Sequence, residues 1–179
     1  MTRGLIALAA SAAAAGALAA CGGADVPRTV SATHGARPSP SRFMRVVASR
    51  RAVVLTMIAA DGSGNNGFNF DGYGRGELIV TVPRGWRVTV RCTNGGSAPN
   101  SCAVVSGPRA NAPAFKGATT PHPVAGLQSG QTATFSFTAS RIGSYRIASV
   151  VPGHEEARMY AVRVVTRAGR PTISARPGP

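Results

Sequence analysis

Three cysteines, three histidines and six carboxylates are the side chains in these 179 residues best suited to holding a metal or moving a proton. The cysteines are Cys21, Cys92 and Cys102, and the histidines are His34, His122 and His154. Their distribution excludes more than it suggests. A triad hydrolase or a multi-carboxylate metal centre would have to be assembled from almost nothing, and no nucleophile sits beside a base. Glu155-Glu156, next to His154, is an isolated cluster that reads as a solvated loop. His34 falls in a polar, Pro-containing stretch and reads as solvated too. An enzyme is not expected.

Two apparent motifs also dissolve on inspection. Gly62-Ser63-Gly64-Asn65-Asn66-Gly67 matches the spacing of a dinucleotide fingerprint, but that fingerprint works only where its third glycine opens a helix that receives a pyrophosphate. Phe68-Asn69-Phe70-Asp71-Gly72 follows here and cannot be that helix. A calcium loop beginning at Asp61 fails because its twelfth position is Gly72, where a glutamate is needed. Both read as turn chemistry.

Composition narrows the class further. Twenty basic residues face six acidic ones, a formal charge of +14, and Lys116 is the single lysine. With 22 glycines and 13 prolines the chain is no coiled coil or helical repeat, and 44% hydrophobic residues exclude a wholly disordered chain.

The ends read differently from the middle. A short positive start, Met1-Thr2-Arg3, leads into an uncharged Ala/Leu stretch that ends in Leu18-Ala19-Ala20-Cys21-Gly22-Gly23. It has the length of a signal-peptide core and is short for a membrane span. The motif resembles the lipobox of bacterial lipoproteins. That resemblance implies a signal peptide at 1–20, lipidation of Cys21, and a mature chain of 159 residues (179 minus 20) held at a membrane outside the cytoplasm, in the periplasm or at the cell surface. Residues 21–51 read as an Arg- and Pro-rich tether. Its arginines either lie along anionic lipid or simply share the composition of the whole chain. Residues 167–179 read as a disordered tail. The expected partners are membrane lipid through Cys21 and an unidentified protein. No nucleic acid is expected, since the chain is exported and no aromatics interleave the arginines.

Between 52 and 166 the chain reads as short strands broken by turns. They fall at Ala52–Ala59, Glu77–Val82, Trp86–Cys92, Ser101–Val105, Thr132–Thr138, Ser144–Val151 and Met159–Val165. Trp86, Val88, Val90 and Cys92 alternate with Arg87, Thr89 and Arg91, the period of a strand with one buried face. Asn94-Gly95-Gly96 marks a turn. No 3.6-residue period is evident, so the class is all-β, a sandwich or a barrel.

A series of segments in order resembles the cupredoxins, and among them the sulfocyanin family. They are Phe68 to Tyr73, Val82 to Val90, Ser97 to Ser101, Pro113 to Gly117, Gly126 to Gln131, Gly143 to Arg146 and Val151 to His154. The resemblance covers about 68–165 and implies a Greek-key β-sandwich whose relatives hold one type 1 copper. Such a centre takes two imidazoles and a thiolate in a plane, with a weak axial thioether. The family pattern places these ligands at Asn100, Ser149, His154 and Met159 of this chain. His154 and Met159 keep the ligand type, while Asn100 and Ser149 stand where an imidazole and the thiolate are needed. No cofactor is therefore expected, and the expected role is binding or scaffolding. Two alternatives remain open. His154 and Met159 could hold copper with Cys102 and His122, or they could be a turn histidine and a core methionine. Cys92 and Cys102 lie on inward faces of strands that the resemblance assigns to opposite sheets, and in an exported chain they are expected to form a disulfide.

Overall fold

The structure, a computed structural model, describes residues 37–177. The expected signal peptide, Cys21, His34 and most of the tether lie outside the described residues. Gly35–Pro179 form one compact unit that contains the whole described hydrophobic core.

Nine strands build two sheets. The first contains, in spatial order, β1 (Met44–Val47), β2 (Ala52–Ala59), β4 (Arg87–Asn94) and β6 (Thr132–Thr138). The second contains β5 (Ala103–Val105), β7 (Gly143–Ala148), β8 (Tyr160–Thr166), β3 (Leu78–Pro83) and β9 (Thr172–Ala175). β2 runs parallel to β4, and β3 parallel to β8; the remaining pairs are antiparallel. This is the all-β Greek-key sandwich that the sequence led one to expect.

Period-2 patterning explains the two layers. In β2, Val53, Leu55, Met57 and Ala59 are buried and alternate with half-buried residues. In β4, Val88, Val90 and Cys92 face the core while Arg87 and Arg91 face solvent. Phe135 and Phe137 of β6 complete the inner face opposite Tyr145 and Ile147 of β7. Cys92 on one sheet and Cys102, just before β5 of the other, form the expected disulfide, with Cα atoms 6.1 Å apart and ten residues apart in sequence. Closing so short a loop stabilises the fold by just under ~3 kcal/mol on the chain-entropy model.

Two boundaries differ from the sequence reading. The tether does not run to residue 51: Pro40–Phe43 form a 3₁₀ turn that buries Phe43, and β1 pairs with β2 from Met44↔Leu55 to Val47↔Ala52. Nor is 167–179 a disordered tail, because β9 pairs with β3 from Leu78↔Ala175 to Thr81↔Thr172. Both are four-residue edge strands held by main-chain ladders, too short for a side-chain alternation to announce them. The Gly62–Gly67 segment is turn chemistry as expected, with a short 3₁₀ turn at Gly64–Gly67 and left-handed Asn65 and Asn66.

Two charged side chains are buried in unusual company. Arg163 of β8 is fully buried, stacks its guanidinium 4.6 Å from the Phe137 ring centroid, and finds no protein acceptor for Nε, Nη1 or Nη2. Burial lowers its pKa to about 10. Asp71, also buried, accepts the Ile58 N–H at 2.7 Å through Oδ1, while Oδ2 has no partner.

Desolvation raises the Asp71 pKa from 3.8 to about 8, with Asp61 adding to the rise and the Ile58 bond opposing it. The folded chain therefore keeps a proton that the unfolded chain loses at ordinary carboxylate pH. Stability must fall as pH rises through that window, by at most about 1.4 kcal/mol per pH unit. Urea unfolding across the window should show the decline in the wild type and a flatter profile in Asp71→Asn.

Candidate functional site

Three turns at one end of the sandwich bring the candidate residues together. Asn100 lies between β4 and β5, in a bridge to Leu127; Ser149 directly follows β7; His154 and Met159 bound the turn that leads into β8. That last turn is closed by its own backbone. His154 N–H donates to Val151 O at 3.1 Å, and Met159 N–H donates to His154 O at 2.9 Å. Gly153, between Val151 and His154, has φ +85°, a conformation costly for any residue with a Cβ.

Ser149 is the centre of the arrangement. Its Oγ accepts the backbone N–H of Ser101 at 3.1 Å and lies 2.9 Å from His154 Nδ1. The Ser101 hydroxyl accepts the Val150 N–H at 3.0 Å and stands 3.5 Å from Ser149 Oγ, too far for a strong bond. With one lone pair given to the Ser101 N–H and Ser101 Oγ a poor acceptor at 3.5 Å, Nδ1 is the best-placed acceptor for the Ser149 proton, the arrangement that goes with the Nε2–H tautomer. Burial lowers the His154 pKa, so the ring stays neutral at physiological pH. The Phe68 ring meets His154 edge-on at 5.3 Å.

Asn100 is equally committed. Its Nδ2 donates to Asn94 Oδ1 at 2.9 Å and to Ala98 O at 3.0 Å. Asn94, fully buried, also accepts Gly96 N–H and donates to Ala98 O and Leu127 O, so it knits the whole first turn. Asn100, His154, Phe68, Ala60, Gly96 and Ala98 line a cavity of about 260 Å³.

The sequence-derived candidates thus separate. Ser149 and His154 touch, and Asn100 shares a cavity with His154. Met159 donates its N–H to His154 O, and its side chain is fully buried among the core residues. Cys102 is taken by the disulfide. His122 is exposed on a turn that the Gly126 N–H closes onto its carbonyl, so it brings no imidazole to Cys102. Glu155 is not a free loop carboxylate: it pairs with Arg146 at 2.8 Å and accepts the Arg109 N–H. Asn94, Ser101 and Phe68 went unrecognised as site residues. Asn94 reads from sequence as part of an Asn-Gly-Gly turn, and that signal marks the right place but not the buried amide. Among the described residues, no three His, Cys, Asp or Glu side chains cluster as a metal-ligating set.

This fold and this end of the molecule define a cupredoxin-type domain. Comparison with known proteins extends that. The sulfocyanin (SoxE) domain profile matches residues 40–171, so the chain belongs to the sulfocyanin family. Its start at residue 40 agrees with the packed Pro40–Phe43 turn rather than with a domain beginning at 52. Sulfocyanin from Sulfolobus acidocaldarius is 29% identical over 130 residues, covering 66% of this chain and 65% of that protein, so the chain spans slightly under two-thirds of that relative. Among solved structures, the blue copper oxidase of Nitrosomonas europaea shares the fold at 21% identity and TM-score 0.51, over 63% of this chain and 38% of that one. Auracyanin from Roseiflexus castenholzii is 22% identical with TM-score 0.47, over 63% of this chain and 96% of that one.

Ser149→Ala should leave the Ser101 N–H and His154 Nδ1 without partners, at a cost of about 1–3 kcal/mol in urea unfolding. The buried, neutral His154 contributes stability that is present above pH 6.5 and lost as pH falls through its depressed pKa. Burial is the cause of that depression and is kept in the variant, so NMR titration of Ser149→Ala should still place the His154 midpoint below its ordinary value.

Proposed function

We propose that this chain is a lipid-anchored, extracytoplasmic member of the sulfocyanin family that binds or scaffolds rather than carrying electrons through type 1 copper. The observation that carries this reading is Ser149. At the position where the family pattern calls for a thiolate stands a neutral hydroxyl already engaged by Ser101 N–H and His154 Nδ1. An alcohol is a hard, protonated and weak ligand, whereas a type 1 centre depends on a thiolate. Asn100, in place of the first imidazole, turns its amide toward Asn94 and Ala98. The residues present do not fit type 1 copper.

What they do fit is a small polar guest. The cavity beside His154 presents the Nε2–H donor, the Asn100 amide and the Phe68 ring. Such a lining suits hydrogen bonding to a partner's side chain or to a small solute. No nucleophile is aligned for turnover, because Ser149 is fully buried and its proton is directed at His154. The lipobox-like Leu18-Ala19-Ala20-Cys21 supports the anchor at the outer face of a membrane.

Cu(II) added to the wild-type protein should give no intense blue absorption, since that colour needs sulfur-to-copper charge transfer from a thiolate. Asn100→His combined with Ser149→Cys should produce it, using the native His154 and Met159. The new thiol is tested with Cys92 and Cys102 both intact and replaced by Val and Ala, to exclude disulfide exchange. A blue wild-type protein, or stoichiometric copper held by His154 and Met159 after export, would refute the reading.

A further inference from the structure

The strand directions sort the charges of this protein to opposite ends. β2, β4, β7 and β9 start at one end of the sandwich, and β1, β3, β6 and β8 finish there. Four turns meet at that end: β1–β2, β3–β4, β6–β7 and β8–β9. They carry Arg50 and Arg51, Arg84 and Arg87, Arg141, and Arg167 and Arg170, all of them exposed. The turns are bonded into one surface. Arg87 N–H donates to Arg51 O at 2.9 Å, Gly85 N–H to Ala139 O at 2.8 Å, and Arg84 N–H to Thr166 O at 2.8 Å.

No described carboxylate lies at this end. Asp61 follows the far end of β2, and Asp71 binds Ile58 there. Glu77 immediately precedes β3, and Glu155 and Glu156 sit in the β7–β8 turn beside His154. One of the molecule's few exposed large apolar side chains, Ile142 at 45% exposure, stands next to Arg141 in the β6–β7 turn.

We propose that this arginine pole docks the domain on an anionic phospholipid bilayer, with Ile142 entering the headgroup region and the His154 cavity facing away from the membrane. The charge fits phosphate. Arginine pairs with it bidentately, and about 1 kcal/mol per basic residue near an anionic surface makes seven of them a strong, salt-sensitive attraction. An acidic protein would explain the arginines but not the exposed isoleucine among them. The pole belongs to the compact unit 35–179, so docking depends neither on the fate of copper nor on lipidation of Cys21.

The test uses residues 35–179, which lack Cys21 and its neighbours, with vesicles of phosphatidylcholine alone or mixed with phosphatidylglycerol. Sedimentation should recover the domain with the anionic vesicles, release it as salt is raised, and leave it in solution with the neutral ones. The triple variant Arg50→Gln, Arg84→Gln and Arg170→Gln should weaken partitioning on the order of a hundredfold. Arg109→Gln, Arg158→Gln and Arg176→Gln remove the same charge at the other end and should have a much smaller effect. Ile142→Ser should abolish the fraction that resists salt. Equal losses in the two triple variants would overturn the proposal, leaving only general charge. Absence of vesicle binding would also overturn it, and retention on immobilised polyglutamate would then assign the pole to an acidic protein.

Discussion

A single hydroxyl sets the character of the His154 end. Ser149 Oγ accepts a hydrogen bond from a backbone amide and lies 2.9 Å from an imidazole nitrogen, and each contact fixes a different turn. Through Ser101 it holds the approach to β5, and through His154 it holds the turn into β8. Burial keeps the His154 ring neutral. The Asn94–Asn100 amide pair acts the same way on the neighbouring turn, committing the Asn100 side chain to structure.

The rest of the sandwich keeps this end rigid. The Cys92–Cys102 disulfide links the two sheets just below it, and the Asn65 amide ties the Gly62–Gly67 turn to Ala157 O at 2.9 Å, beside His154. The buried Asp71 anchors the Phe68–Tyr73 segment to β2. Polar groups are thus concentrated at one end and engaged there, while the opposite end is built of short turns whose arginines meet no described carboxylate. The molecule is bipolar in chemistry as well as in charge.

Much of this was legible in the sequence. The alternation in Ala52–Ala59 and Trp86–Cys92, with Cys92 inward, follows from a side-chain period of two; Cys102 instead precedes β5 in a stretch buried at every position from Asn100 to Val105. The order of motifs identified the family. β1 and β9 were not legible, because each is four residues long and is placed by main-chain pairing with a neighbour, and Met44–Val47 sits among arginines that read as more tether. Arg163 falls on the inward face by alternation, yet its charge argues for solvent; only the stacked Phe137 ring reconciles the two. The arginine pole is spread over residues 50–170 and is gathered by topology alone. Asn94 was visible as a turn residue: three of its four side-chain hydrogen bonds stay within six residues, and only the bond to Leu127 O reaches a remote segment.

The commitment of Ser149 to structure is read most directly from the state of the His154 ring. Long-range ¹H–¹⁵N NMR of the wild-type domain distinguishes the two neutral tautomers from each other and from imidazolium. The expected result is a proton on Nε2, an unprotonated Nδ1 accepting from Ser149, and a pKa below the ordinary histidine value of 6.5. A proton on Nδ1, or a ring that titrates near its ordinary value, would contradict the account, because Ser149 would then not be committed to His154.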